Sequence, residues 1–165
     1  MNIYRAYLES PVGLLEITAS EEAILSLLFE NKIQSPVSST PAELQPPHLK
    51  EALNQVKAWF EGQLQYFDLP VHLQGTSFQQ QVWKELEKIP YGETLTYARL
   101  AARLGKAEAI KATGSAVGKN KINIIIPCHR VIGSKGQLTG YGGEIWRKAW
   151  LLRFEQEVRG SRLRF

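Results

Sequence analysis

Residues 96–120 read TYARLAARLGKAEAIKATGSAVGKN, and this stretch predicts two short helices joined by a tight turn. Thr96 is of a residue type that caps helix N-termini, and Gly105 provides a stop for the first helix. Such a pair is typical of a helix-turn-helix, but an ordinary pair of packed helices in a protein core has the same pattern. The stretch by itself leaves both interpretations open.

The second predicted helix is unusually rich in small residues. Ala112, Gly114, Ser115 and Ala116 lie close together, and a glycine in a helix interior costs roughly 1 kcal/mol relative to alanine. Small side chains allow a helix backbone to come close to another surface, which is either a packed neighbour or a groove of nucleic acid. Spacing does not distinguish these two interpretations.

The two parts of the chain carry opposite net charge. Residues 1–74 contain four Lys/Arg and nine Asp/Glu, a net charge of −5, whereas residues 75–165 contain sixteen and seven, a net charge of +9. Because clustered cations are what neutralises phosphates, the basic part is expected to bind a polyanion such as nucleic acid. A solvated basic surface is the alternative interpretation.

The remaining elements are predicted from periodicity and turn residues. Residues 2–8, 14–19 and 23–29 predict three short strands in a meander, and the Pro- and Ser-rich residues 34–47 predict a loop. Residues 76–90 predict a helix with Ser77 and Gln80 in capping-box spacing at its start and a proline at its end. A further helix that ends near Gly62 is predicted by the apolar stripe Leu49, Leu53, Val56 and Phe60.

A single cysteine lies in IIIPCHRVIG, residues 124–133, which excludes an internal disulfide and a zinc site built from several cysteines. Residues 122–131 predict a buried extended segment that leads to Cys128. A buried inert thiol is the common fate of a lone cysteine, but the adjacent His129 and Arg130 and the basic surroundings favour a thiolate. Neighbouring side chains of an extended segment point to opposite faces, so a direct contact between Cys128 and His129 is not implied.

The chain resembles the O6-alkylguanine-DNA alkyltransferases, also called methylated-DNA–protein-cysteine methyltransferases, in IPCHRVIG, in the preceding TSFQQQVWKELEKIPYGETLTYARLAARLG and in the following GQLTGYGGEIWRKAWLLRFE. The resemblance is continuous from Gly75 to Glu155, and SPVGLLEITA near the N-terminus also fits. It implies an α+β fold with two domains. Residues 1–74 are expected to form a ribonuclease-H-like α/β lobe with a small antiparallel sheet, and residues 75–165 a mostly helical lobe with a helix-turn-helix.

The resemblance also implies a reaction. Cys128 attacks the alkyl carbon on O6 of an alkylated guanine that has been flipped out of duplex DNA, which leaves S-alkylcysteine and a repaired base. A thioether offers water no electrophilic carbonyl, so each molecule reacts once. The implied partner is double-stranded DNA containing O6-alkylguanine, bound through its minor groove by a monomer, without a cofactor or a metal.

Roles follow from the resemblance residue by residue. His129 is expected to accept the thiol proton through a water molecule, Glu155 to orient His129, and Tyr97 to donate a hydrogen bond to the departing guanine. The residues implied in catalysis are Cys128, His129, Glu155, Tyr97 and Asn120. The residues implied in binding the flipped base are Val131, Tyr141, Gly142 and Gly143. The residues implied in binding DNA are Thr96, Lys111, Ala112, Gly114, Ser115, Ala116, Lys119 and Arg130.

Two positions depart from the family pattern. Lys111 stands where the family has an arginine that occupies the space left by the flipped base, and lysine lacks the planar guanidinium. Lys121 stands where the family usually has a proline after the asparagine that braces the cysteine turn, which loosens that turn.

Two rival functions remain open at this stage. Alkyltransferase-like proteins bind damaged DNA without a reactive cysteine, and a Cys-His hydrolase turns over repeatedly. For location, no apolar run approaches the roughly 18 residues of a membrane span. Because Arg5 and Glu9 also interrupt any secretory segment after Met1, the sequence predicts a cytoplasmic protein that does not bind a membrane.

Overall fold

The computed structural model describes residues 2–34 and 38–162. The chain divides into two compact units, of which the first comprises Met1–Leu73 and Lys121–Ile125 and the second Gln74–Asn120 and Ile126–Phe165. The strands are β1 (Tyr4–Ser10), β2 (Gly13–Ala19), β3 (Ile24–Phe29), β4 (Leu95–Thr96) and β5 (Val131–Ile132). The helices are α1 (Pro47–Phe60), α2 (Ser77–Leu86), α3 (Tyr97–Arg103), α4 (Ile110–Gly118) and α5 (Ile145–Arg162). This arrangement confirms the expected α+β class, with a small antiparallel sheet in the N-terminal part and helices in the C-terminal part.

The first unit is an antiparallel sheet in the order β1-β2-β3, covered by α1. The three predicted strands are confirmed, because β1, β2 and β3 fall on the residues that alternate in the sequence. The buried stripe of α1 is rotated slightly from the predicted one, since Ala52 and Trp59 are fully buried while Leu53 and Phe60 are half-buried. Trp59 thus supplies a large apolar surface to the core of this unit.

The predicted loop at residues 34–47 contains one 3-10 turn, Ala42–Leu44, before α1 begins at Pro47. A proline at the first helical position is favourable because the N–H it lacks would have had no partner within the helix. Residues 35–37 of the loop lie outside the described residues, as do residues 163–165 beyond the end of α5.

A short stretch of the C-terminal half belongs to the first unit. The Leu27 backbone N–H donates to the Lys121 carbonyl (2.9 Å), Ile122 forms a parallel bridge with Leu27, and Asn123 Nδ2 donates to the Leu27 carbonyl (2.9 Å). A single boundary between residues 74 and 75 therefore does not describe the division. Pairing with β3 places residues 121–125 in the unit that contains the sheet.

The expectation of one extended segment over residues 122–131 is wrong. The chain turns after Ile122, Ile124 adopts φ 69°, and Cys128–Arg130 form a 3-10 turn. A β-branched residue rarely adopts a positive φ, and Ile124 is also buried. The surrounding structure thus outweighs the local preference of this run for extended backbone.

Helices α2, α3 and α4 pack against one another in the second unit. A capping box at Thr76 and Gln79 starts α2, one residue earlier than the sequence pattern predicts. The Thr96 hydroxyl caps α3 as predicted, accepting a hydrogen bond from a backbone N–H of the first turn (3.1 Å). Because α3 and α4 are joined by the short connection 104–109, the helix-turn-helix pattern is present in the structure.

A short parallel pair joins the start of α3 to the cysteine turn. Leu95 of β4 pairs with Val131 of β5, and Thr96 with Ile132. Two-residue strands carry no periodicity, so the sequence does not reveal this pair. Since Val131 directly follows the 3-10 turn Cys128–Arg130, the pairing holds the cysteine beside the N-terminus of α3, and α5 packs on the same turn. Among the described residues, no helix is both long and apolar enough to cross a membrane.

Replacing Asn123 by alanine is expected to lower the free energy of unfolding by about 1 kcal/mol, because the side-chain hydrogen bond to the Leu27 carbonyl is lost. Urea unfolding at neutral pH measures the change. Asn54→Ala, at an exposed position of α1, is the control and should cost much less. Equal stability of Asn123→Ala and the wild type would contradict an anchoring role for this amide.

Candidate active site

Glu155 is the centre of a buried hydrogen-bond network in the second unit. Its side chain on α5 is fully buried and accepts a hydrogen bond from His129 Nε2 (2.9 Å). Arg130 donates to the same carboxylate through Nε (2.9 and 3.1 Å) and Nη2 (2.7 Å), and the Gly92 backbone N–H adds a longer bond (3.3 Å). Both carboxylate oxygens are thus bonded, which is what a buried charge requires.

The charge of Glu155 is retained despite its burial. Burial by itself raises the pKa of Glu155, but the charge that His129 gains when it is protonated, the hydrogen bonds from His129 and Arg130 and the charge of Arg130 outweigh it and hold the pKa at about 2. A carboxylate only accepts hydrogen bonds. His129 Nε2 therefore carries a proton and donates it, and Nδ1 is the basic nitrogen of the imidazole.

His129 rests in its neutral form. Its side chain is fully buried, and burial lowers the pKa of His129 below its ordinary value. The nearby cations Arg130 and Lys148 lower this pKa further, against the raising effect of Glu155. A neutral imidazole oriented by a carboxylate can accept a proton, which is the property required of a general base.

Cys128 is held as a thiol rather than a thiolate. It is only 4% exposed, and burial raises the pKa of Cys128 to about 11, although the Asn120 side chain and the Lys148 charge act in the opposite direction. The sequence-based expectation that basic surroundings favour a resting thiolate is therefore wrong, because desolvation outweighs the nearby positive charge. A nucleophile at this position requires a base.

The backbone that carries Cys128 is braced from behind. Asn120 Nδ2 donates to the carbonyl of Ile126 (2.9 Å), which closes the turn between the end of α4 and the cysteine. Asn120 is itself buried. The Asn120 side chain thus holds the backbone two residues before Cys128.

Tyr97 and Lys148 lie beside the cysteine turn. The Tyr97 hydroxyl donates to the Thr139 carbonyl (3.2 Å), and Lys148 Nζ donates to the same carbonyl (3.1 Å) and to the Tyr97 hydroxyl (3.5 Å). Lys148 is 1% exposed, and burial lowers the pKa of Lys148 to about 8. Sequence reasoning did not single out this lysine, because in a chain with many surface lysines nothing in the local pattern marks it as buried.

The segment Tyr141–Gly143 is held at the start of α5. Arg147 Nη1 donates to the Gly143 carbonyl (3.2 Å) and to the Glu144 carboxylate (3.1 Å). Glu144 adopts φ 75°, a conformation that non-glycine residues seldom adopt. Tyr141 lies close enough to Cys128 that their charges influence one another. Of the three residues of this segment that the resemblance implies in base binding, Tyr141 is therefore near the thiol.

Helix α4 presents a face of small and basic side chains. The exposed positions are Ile110, Lys111, Ala112, Ser115, Gly118 and Lys119. A Cβ atom added at Gly114 would lie 3.7 Å from the Tyr97 ring, an ordinary contact distance, so packing within the unit does not require a glycine there.

Two residues assigned to DNA contact point inward. Ala116 is 2% exposed, and its carbonyl accepts a hydrogen bond from Trp83 Nε1 (2.9 Å). Arg130 is 5% exposed, and besides Glu155 it donates to the Ile89 carbonyl (2.7 Å). Neither side chain is available to a phosphate in this structure. The resemblance does not tell which face of a short helix or turn is buried, so it groups both residues with their exposed neighbours.

Family models cover nearly the whole chain. Residues 77–157 match the DNA-binding domain of 6-O-methylguanine DNA methyltransferase, and residues 3–73 match its ribonuclease-like domain. The methylated-DNA–protein-cysteine methyltransferase of Mycobacterium tuberculosis H37Rv is 43% identical over 154 residues, covering 93% of each chain. The chain belongs to the methylated-DNA–protein-cysteine methyltransferase family.

Further members of this family support the assignment over the full length. The constitutive methylated-DNA–protein-cysteine methyltransferase of Bacillus subtilis 168 is 40% identical over 161 residues, covering 94% of this chain and 96% of the relative. The crystal structure of the M. tuberculosis O6-methylguanine methyltransferase superposes with a TM-score of 0.84 at 41% identity, covering 94% of each chain. A second M. tuberculosis structure, determined in complex with DNA, also gives a TM-score of 0.84.

The site of this family member is built without a metal cluster in the described part of the chain. Within residues 2–34 and 38–162, no group of three or more His, Cys, Asp or Glu side chains could hold a metal ion.

Replacing Glu155 by glutamine is expected to reduce stability most at neutral pH. The folded-state pKa of Glu155 is about 2, below the ordinary 4.5. Above pH 4.5 the carboxylate therefore stabilises the folded state by on the order of 3 kcal/mol, and this contribution is lost as the pH falls through 2. Urea unfolding at pH 7, 4.5 and 2.5 measures the difference in free energy of unfolding between the variant and the wild type. This difference should become smaller as the pH falls.

Glu157→Gln, two residues along α5 at an exposed position, is the matched control and should differ little from the wild type at every pH. If the difference in free energy of unfolding between Glu155→Gln and the wild type were the same at all three pH values, a charged, paired Glu155 would be contradicted.

Proposed function

We propose that this chain repairs duplex DNA by transferring the alkyl group of O6-alkylguanine to Cys128, once per molecule. The observation that carries the proposal is a buried thiol beside a hydrogen-bonded His129–Glu155 pair, in a chain of the methylated-DNA–protein-cysteine methyltransferase family. The reaction is a displacement in which the sulfur–carbon bond forms and the carbon–O6 bond breaks.

The thiol proton goes to His129. At a pKa of about 11, Cys128 is protonated at neutral pH, so the nucleophile forms when a bridging water passes its proton to Nδ1 of the neutral imidazole. Glu155 stabilises the imidazolium that results. The departing guanine takes a proton from solvent while the imidazolium returns the former thiol proton to solvent, and Tyr97 is the phenol proposed to donate a hydrogen bond to the guanine ring nitrogen.

The flipped base is bound by backbone groups of the cysteine turn, of β5 and of the segment Tyr141–Gly143. The carbonyls of Cys128 and Val131 accept hydrogen bonds from the exocyclic amine, and a backbone N–H of Tyr141–Gly143 points at O6. This placement is supported by the position of Cys128 in the 3-10 turn and of Val131 in β5, and by the proximity of Tyr141 to the thiol.

The duplex is bound at the exposed face of α4, through its minor groove. Lys111 and Lys119 supply positive charge on this face, and Ala112 and Ser115 keep it flat. Gly114 fits the same interpretation, because contact with Tyr97 does not demand its small size. The M. tuberculosis relative has been crystallised with DNA. A monomeric state and a cytoplasmic location stay predictions from the sequence.

Incubation with an O6-methylguanine duplex is expected to add one methyl group to Cys128, because a thioether cannot be hydrolysed under the conditions of the reaction. Intact mass followed by peptide mapping measures the modification, and repaired guanine should not exceed one equivalent of protein. Cys128→Ser is the control, which should bind the duplex without acquiring a methyl group.

The same experiment decides between the rival functions. Unmodified wild-type protein that still binds the lesion would overturn transfer and favour a damage-binding protein. Release of several equivalents of product per molecule would favour a Cys-His hydrolase. Loss of DNA binding in Cys128→Ser would contradict the separation of the binding surface on α4 from the reacting sulfur.

Replacing Lys111 by arginine is expected to maintain or increase the rate of transfer from duplex DNA, because a planar guanidinium fills the space of a flipped base better than an ammonium group. Single-turnover transfer rates measure the effect. Lys50→Arg, at an exposed position of α1, is the control for the substitution itself. A large fall in the rate of Lys111→Arg would show that lysine is required at this position.

A further inference from the structure

Arg130 is a buried cation of the active site that has no step in the proposed reaction. Its guanidinium makes three contacts of 2.7–3.1 Å to Glu155 and one of 2.7 Å to the Ile89 carbonyl. Tyr91 packs on it at 5.6 Å from ring centroid to guanidinium carbon. The side chain is thus fixed by both its charge and its planar shape.

The position of Arg130 determines how the buried charge is balanced. Glu155 is ionised and fully buried, so it requires a positive partner inside the protein. Arg130 and His129 are both in contact with it, but arginine is the one that stays charged at every accessible pH. The arginine and the carboxylate together form a neutral pair, and the imidazole need not be protonated to compensate the carboxylate.

The geometry points to Arg130 as a positioning residue that neutralises Glu155 and so keeps His129 a neutral base, ready for the thiol proton. This inference rests on the proposed function, in which His129 receives that proton. Arg130 acts on His129 indirectly, by pairing with Glu155, and does not contact the substrate. DNA contact is not its role, because the guanidinium is turned into the protein.

Removing the guanidinium should convert His129 into the counter-ion of Glu155. A carboxylate 2.9 Å from the imidazole, no longer shared with a second cation, favours the imidazolium. An imidazolium cannot accept the proton of Cys128, so transfer becomes slow at neutral pH. The rate should recover as the pH rises through the new, higher pKa of His129.

The other groups around His129 make this effect specific. Lys148 of α5 also carries charge near the imidazole, but its Nζ is bonded to the Thr139 carbonyl and the Tyr97 hydroxyl, away from the Glu155 carboxylate. Cys128, on the same turn, is neutral at rest. Neither group replaces a guanidinium that contacts both carboxylate oxygens.

The test follows His129 directly by NMR. The chain has three histidines, so each side-chain Cε1–Hε1 signal can be assigned and titrated in the folded protein. Arg130→Gln should raise the pKa of His129 by about one unit or more, and the rising limb of the pH–rate profile for transfer should move by the same amount. Arg130→Lys, which keeps a charge but not the paired bonds, should give a smaller rise.

Arg147→Gln is the matched control. Arg147 is likewise 5% exposed and lies on α5, but it pairs with Glu144 instead of Glu155. The pKa of His129 should stay within a few tenths of the wild-type value in this variant. An equal rise in Arg147→Gln and Arg130→Gln would overturn the proposal, since it would reflect general loosening of the site.

Two results decide the matter even if Arg130→Gln fails to fold. The wild-type His129 must be neutral at pH 7 by its ring nitrogen shifts, and a protonated imidazole there would overturn the proposal. A folded Arg130→Lys with an unchanged or lower His129 pKa would do the same. Because these are measurements on the protein without DNA, failure of the alkyl transfer itself would appear separately, as an unmodified Cys128.

Discussion

The buried charge of Glu155 is the constraint on which the rest of the site depends. A carboxylate with no exposed surface is tolerated only when cations and N–H groups surround it, and here they come from two other parts of the second unit. α5 provides the carboxylate, the 3-10 turn provides His129 and Arg130, and the Gly92 loop provides a backbone N–H. Satisfying this one group therefore fixes the turn that carries Cys128.

The turn itself exists because the backbone leaves the extended conformation. Ile124 adopts a positive φ, and the chain then coils into Cys128–Arg130 instead of continuing as a strand. In a strand, neighbouring side chains would point to opposite faces. The 3-10 turn instead directs both His129 and Arg130 into the protein. A desolvated thiol and a neutral base consequently occupy the same turn. The thiol is unreactive while it keeps its proton and becomes a nucleophile when the base removes it.

Sequence patterns predicted the elements of this protein better than its surfaces. The strands, the Thr96 cap and the helix pair follow from alternation, capping chemistry and turn residues, all of which are local. The family resemblance places Ala116 and Arg130 on a DNA surface, but a resemblance transfers positions and not the direction in which a side chain points. The sequence does not mark Lys148 as buried, because its environment includes Tyr97 and Thr139, which are not its neighbours along the chain.

The sequence by itself determined the order of the elements, the opposite charges of the two parts and, through the PCHRV block, the family and the nucleophile. The tertiary structure decided the protonation states, namely a neutral thiol, a neutral imidazole and a charged Glu155. It also decided that Lys121–Ile125 pair with β3 and that Arg130 faces inward. The physical reason is that desolvation and charge balance depend on everything packed around a group, whereas the linear pattern records only its neighbours along the chain.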